Sequence, residues 1–227
     1  LEERNRRAEE GRSLALEALE ERDRDLFEER RMKETLAVRV QQLEEGGVMG
    51  MMGNGIDAAA ALLRNEEMER DESVFVIGED VIAHGGSYKV TQGIVERFPE
   101  RIFEPPIAEA GIVGLSVGAA LAGMRPIVEL MYMDFVTCAM DEVVNQAAKF
   151  RFMLGGNATV PLVVRGPQGG GIRLAAQHSQ SLEAWFAHVP GLVVMAPSTP
   201  YDAKGMLITA IRDDNPVIFL DSQLLYP

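Results

Sequence analysis

Cysteine is nearly absent: the 227 residues hold one, Cys138. No internal disulfide can form, and a lone cysteine fits a reducing compartment, where it is expected to act as a small buried apolar side chain. Basic charge is scarce as well, with 22 lysines and arginines against 35 aspartates and glutamates and a net charge of -13. That balance leaves no basic stripe to neutralise phosphates, which excludes a nucleic-acid surface or an anionic membrane surface. No secretory signal and no run of about 18 apolar residues occurs, so the chain reads as soluble and cytoplasmic, with no membrane partner. There is also no GxxxxGK[ST], no GxGxxG between a strand and a helix, and no cysteine–histidine cluster suited to zinc or iron.

What is present is apolar material, 47% of the residues, enough for one sizeable core and an appendage. Two regions are expected, 1 to 53 and 54 to 227. Residues 1 to 45 are dense in charge of both signs, with Leu16, Leu19, Leu26, Met32, Leu36, Val40 and Leu43 three to seven apart, the pattern of a solvated amphipathic helix. Asp23 and Arg30 interrupt its stripe and argue against a sustained coiled coil, which leaves a partner-docking helix and a plain exposed one both open. GGVMGMMGNG, residues 46 to 55, reads as a linker.

Beyond it, residues 57 to 70 favour a helix. SVFVIG (73 to 78), RPIVEL (125 to 130), VPLVVR (160 to 165), GLVVMA (191 to 196) and PVIFL (216 to 220) read as strands, with helices over 134 to 153, 181 to 188 and 200 to 213. Near-continuous apolar strands separated by helices predict an α/β fold, a parallel sheet with helices on both faces and ligands at the carboxyl ends of the strands. Two long segments, 78 to 93 and 165 to 181, are expected to be functional loops.

The chain is organised around residues 102 to 135, IFEPPIAEAGIVGLSVGAALAGMRPIVELMYMDF. After Pro105 and Pro106 a helix is expected, with Glu109 in its first turn and Gly111, Gly114, Gly118, Ala122 and Gly123 recurring along it. Glycine costs a helix about 1 kcal/mol relative to alanine, so this run predicts a buried helix against which another backbone packs closely. By residue type alone Glu109 either complements the helix dipole or serves chemistry. Ile107, Met131 and Phe135 read as core, His178 as a turn residue or an active-site group, and AIRDDNP (210 to 216) as a helix end capped by solvent.

PPIAEAGIVGLSVGAALAGMRPIVE, followed by DF, NQAAKFRFM, VPLVVRGP, AAQHSQSLEAWFAHVPGL, PSTPYDAKGML and AIRDDNPVIF, resembles the beta subunits of thiamine-diphosphate-dependent 2-oxo acid dehydrogenases from Glu69 to Tyr226. These include the pyruvate, branched-chain and acetoin members. The resemblance implies a pyrimidine-binding domain of transketolase type, in which Glu109 faces the aminopyrimidine nitrogen of the cofactor. Phe135 would stack on that ring, and Ile107 and Met131 would line its pocket. His178 would orient the 2-oxo acid or protonate the lipoyl group during acyl transfer. Leu162, Ala210, Ile211, Asp213 and Asn215 would hold a structural potassium ion. The implied assembly is a heterotetramer of two alpha and two beta chains serving a lipoyl-bearing transacylase. Magnesium and the diphosphate would be held by the alpha subunit, since GED (78 to 80) is not the GDG motif used for that purpose. Pyruvate is the first choice of substrate. Acetoin, a branched-chain 2-oxo acid, or a non-catalytic interaction module are the rivals. The family's carboxyl-terminal domain is expected to be absent after LLYP, and Pro105 stands where a threonine is usual.

Overall fold

The computed structural model describes residues 66–171 and 173–226. The helix expected over 1 to 45, the linker at 46 to 55, the boundary at 53 and 54, and most of the helix expected over 57 to 70 lie outside the described residues. Residues 66–70 are helical.

Strands Val74–Gly78 (β1), Ile102–Phe103 (β2), Arg125–Glu129 (β3), Val163–Gln168 (β4), Val193–Met195 (β5) and Val217–Ser222 (β6) form one sheet. Its order is β2-β1-β3-β4-β6-β5 and every pairing is parallel. Helices Ile94–Arg97 (α1), Glu109–Leu121 (α2), Ala148–Met153 (α3), Glu183–Ala187 (α4) and Pro200–Arg212 (α5) connect and cover them. Because successive strand residues point to opposite faces, the apolar strands feed two cores. On one face Phe75, Ile77, Val128, Val164 and Ile218 pack with Ile112, Val113 and Val117 of α2 and with Phe186. On the other, Val74, Val76, Ile127, Val163 and Val217 pack with Met68, Ile94, Leu207 and Ile211. The expected parallel sheet with helices on both faces is the one observed.

Local chemistry sets the element ends. Thr199 caps α5, its hydroxyl accepting from Asp202 N–H at 3.1 Å, and Pro200 fills the first helical position, where no N–H is needed. At the end of β1, a Cβ on Gly78 would lie 2.2 Å from the Glu129 carbonyl oxygen, so only glycine lets the β1 and β3 ends approach this closely.

Four expectations need correction. The strand expected over 160 to 165 is shifted: β4 starts at Val163 and runs through RGPQ, so the loop expected from 165 begins later. The pairing of Gly166 with Leu220, Pro167 with Asp221 and Gln168 with Ser222 extends the ladder there. The helix expected over 134 to 153 is a 3₁₀ turn at Met133–Ala139, a π-helical turn at Glu142–Ala147 and then α3. α2 is not buried all round: Ile112, Val113, Ser116, Val117 and Ala120 face the core, while Gly111, Leu115, Gly118 and Leu121 are exposed. No other residue lies within 4 Å of a Cβ built on Gly118, so within the described residues the close backbone approach is not made there. Cys138, expected buried, is exposed.

Candidate active site

The carboxyl ends of β1 and β3 open the site. Glu79 follows β1 and is buried, its Oε2 accepting the Met131 N–H at 3.3 Å while Oε1 is buried without a partner. Burial pushes the Glu79 carboxyl above its ordinary value against the pull of the Met131 N–H, and the charges of Glu109 and Asp80 add to the rise. Glu109, half-buried in the first turn of α2, is therefore within electrostatic reach of the Glu79 carboxyl.

The 3₁₀ turn after β3 supplies the aromatic wall. Phe135 lies edge-on to the His178 ring, centroids 5.3 Å apart, and Tyr132 meets the same imidazole at 4.8 Å. His178 Nδ1 is buried and makes no hydrogen bond. The segment carrying His178 is tied down by several side chains. Asp134 Oδ1 accepts from Gln180 N–H at 3.1 Å and from its amide at 2.9 Å, and Gln223 Nε2 donates to the His178 carbonyl at 2.8 Å. Gln168 donates to Glu183 at 2.5 Å and accepts the Leu182 N–H at 3.1 Å. Met131 is half-buried, and Ile107, just before α2, is 67% exposed, which rules out the core reading for it.

A buried ion cluster stands at the same end of the sheet. Arg165, in β4, donates to Glu129 Oε2 at 2.6 Å and to the Tyr226 hydroxyl and lies 2.5 Å from Asp221 Oδ2, while Tyr226 donates to Asp221 at 3.0 Å. Burial opposes the guanidinium charge, but Asp221 and Glu129 outweigh it and hold its pKa well above the usual value. Sequence reasoning missed this cluster and missed Glu79. The signal for both was a charged residue standing in or just after an apolar strand: FVIGE, PIVEL, LVVRG and IFLD.

At the opposite end of α5 the residues expected to hold potassium lie close together. Asp213 Oδ1 accepts from the Asn215 backbone N–H at 2.8 Å and side-chain amide at 2.9 Å, and the Ile211 and Asp213 carbonyls accept from Arg125 at 3.0 and 3.1 Å. The Leu162 carbonyl accepts from Val217 N–H at 2.8 Å, and that of Ala210 from Asp213 N–H at 3.3 Å. Two of these carbonyls therefore already face a cation, the Arg125 guanidinium.

The first site suits one half of a particular cofactor. Two carboxyls, one with an unsatisfied buried oxygen, an aromatic ring and two accessible apolar side chains follow neighbouring strands or open α2 at this end of the sheet. That set fits the aminopyrimidine of thiamine diphosphate, with carboxyl oxygens for the polar edge and Phe135, Met131 and Ile107 for the ring.

Residues 55–227 match the family described as Transketolase, pyrimidine binding domain. The chain is 56% identical over 162 residues to the pyruvate dehydrogenase E1 component subunit beta of Rickettsia felis, covering 71% of this chain and 50% of that protein. It is 49% identical over 172 residues to the acetoin:2,6-dichlorophenolindophenol oxidoreductase subunit beta of Cupriavidus necator, covering 71% and 51%. To the 2-oxoisovalerate dehydrogenase subunit beta of Bacillus subtilis it is 48% identical over 169 residues, covering 74% and 52%. The chain thus spans about half the length of these curated relatives. Among solved structures, one described as a split gene transketolase, inactive beta4 tetramer, shares the fold with a TM-score of 0.61 at 18% identity, over 76% of this chain and 52% of that one. The chain belongs to the family of transketolase pyrimidine-binding domains, where it stands with the beta subunits of pyruvate, acetoin and branched-chain 2-oxo acid dehydrogenases.

Proposed function

We propose that this chain is the pyrimidine-binding half of the active site of a 2-oxo acid dehydrogenase, with pyruvate as substrate and a separate alpha subunit completing the site. The observation that carries the reading is the convergence of Glu79, Glu109, Phe135 and His178 on one end of the sheet. The relatives named for pyruvate dehydrogenase, at 50 to 56% identity, favour pyruvate. Acetoin is the second reading, on the 49% identity with the acetoin enzyme's beta subunit.

Thiamine diphosphate, when bound, supplies the carbanion chemistry that decarboxylates the 2-oxo acid. The chain's own residues would hold and tune it. Glu109 would face the pyrimidine ring nitrogen and exchange a proton with it, while Glu79, its carboxyl raised above the ordinary value by burial, would stand beside the pair as a second polar group. Phe135, Met131 and Ile107 would enclose the ring and exclude water. His178 would orient the 2-oxo acid or donate a proton during acyl transfer to a lipoyl group on a transacylase. The diphosphate needs a metal and oxygen ligands. Among the described residues no three acidic, histidine or cysteine side chains converge to hold a metal ion, and we assign magnesium to the alpha subunit. Potassium would sit among Leu162, Ala210, Ile211, Asp213 and Asn215. The exposed Gly111, Leu115 and Gly118 face of α2 offers the alpha or a second beta chain a surface for close packing in an alpha-two beta-two assembly. Regions 1 to 53 and 54 to 227 remain the proposed domains. A cytoplasmic location rests on the single cysteine; among the described residues no helix is long and apolar enough to cross a membrane.

The test is Glu109→Gln in the enzyme assembled with its alpha subunit, assayed with an artificial electron acceptor. The amide cannot exchange the proton, so turnover should fall at least about 100-fold with the fold intact. Wild-type turnover would overturn the reading.

A further inference from the structure

We propose that Asp134 and Gln223 are positioning residues for His178, clamping from two sides the turn that sets its imidazole against Tyr132 and Phe135. The proposal rests on the reading above, in which His178 acts in the site.

The turn carrying His178 is weak by itself. Ala176–His178 is a three-residue 3₁₀ turn, no side chain caps it, and Ala175 before it has φ 67°, a conformation that an alanine adopts only under constraint. Leu174, Ala175, Ala176 and Gln177 are exposed, so the turn's own residues bury little to hold it. The constraint comes from outside. Two residues after His178, both the backbone and the side chain of Gln180 are bonded to one Asp134 oxygen. Gln223 holds the His178 carbonyl itself. Both clamping residues are buried, Asp134 to 3% exposure and Gln223 to 1%.

Each clamp is anchored in a part of the site. Asp134 precedes Phe135 in the same 3₁₀ turn, so the residue that fixes the histidine segment also moves with the ring the histidine abuts. Gln223 lies between Asp221 and Tyr226, both locked to Arg165 in the buried ion cluster. Asp134 Oδ2 and Gln223 Oε1 are moreover buried without partners. Leaving such an oxygen unpaired is costly, and an apolar residue filling the same space would avoid the cost, so the polar identity is explained by the bond each makes to the His178 segment.

The experiment uses the enzyme assembled with its alpha subunit, with histidine ¹³C-labelled at Cε1. The three histidines are His84, His178 and His188, and His178→Ala assigns the signal of interest. Gln223→Leu and Asp134→Ala should move the His178 signal as the ring currents of Tyr132 and Phe135 are lost, leaving those of His84 and His188 in place. Asp134→Asn keeps an acceptor oxygen and should restore the native position. Gln180→Ala removes one bond from an exposed position and should produce a smaller displacement, which keeps the test available if Gln223→Leu does not fold. The rate of acyl transfer should fall about tenfold in Gln223→Leu, and should fall no further when Gln223→Leu is added to His178→Ala. An unmoved His178 signal overturns the proposal through the clamp, whatever the kinetics. So does an equal rate loss in the His178→Ala background. Full turnover of His178→Ala with the signal displaced overturns it through the reading of the site instead.

Discussion

A buried carboxylate is tolerated only when something compensates its charge, and two buried glutamates here, Glu79 and Glu67, are handled in opposite ways. Burial pushes Glu79 toward its neutral form, the nearby charges of Glu109 and Asp80 add to the push, and its single backbone N–H does not offset them. Glu67 is buried too, but Arg212 reaches it at 2.5 and 3.0 Å and Arg70 at 2.8 Å; burial opposes its charge, and these guanidiniums outweigh burial and hold its pKa below the ordinary carboxylate value. A carboxyl with a lowered folded pKa stabilises the fold above its unfolded value, and that contribution is lost as pH falls through the folded value. Glu67→Gln should therefore lower stability at neutral pH by about 1–3 kcal/mol and flatten the acid limb of the thermal midpoint against pH. An acid limb as steep as in the parent chain would show that Glu67 is not the group responsible. The difference between the two residues was not legible in the sequence. FVIGE and NEEME each show a glutamate beside apolar residues, and only the packing brings an arginine 145 residues away to one of them.

At the scale of elements, the strands were legible because a parallel sheet covered on both faces leaves almost no polar alternation, and β1, β3, β4 and β6 each carry a β-branched run. The two-residue β2 was not, since Ile102–Phe103 is too short to carry a pattern and is defined by its pairing with β1. The glycines of α2 were read as a sign of close packing in general, whereas the sequence does not say against what. Gly78 and Gly118 now separate two uses of glycine. Gly78→Ala forces a Cβ onto the Glu129 carbonyl and should destabilise the chain by about 1–3 kcal/mol. Gly118→Ala meets open space in a helix and should stabilise the separate chain by about 0.5–1 kcal/mol while weakening assembly with a subunit that packs on that face. Denaturant midpoints and sedimentation measure the two effects apart; a Gly118→Ala chain that assembles as tightly as the parent would remove α2 from the interface.

For the whole molecule, the candidate site is polar and aromatic where a pyrimidine would lie and lacks, among the described residues, a cluster for the metal that a diphosphate needs. Two ligand dependences follow. If potassium binds at the end of α5, replacing it with sodium should lower the thermal midpoint, as removal of any native-state ligand does, and an unchanged midpoint over a wide range of concentration would remove that site. The more direct measurement is calorimetric titration of thiamine diphosphate with magnesium into this chain, into its alpha subunit, and into the two together, with pyruvate decarboxylation followed in the same samples. Tight binding and turnover are expected only in the mixture. Decarboxylation by this chain alone would contradict the half-site and require a self-sufficient assembly in its place.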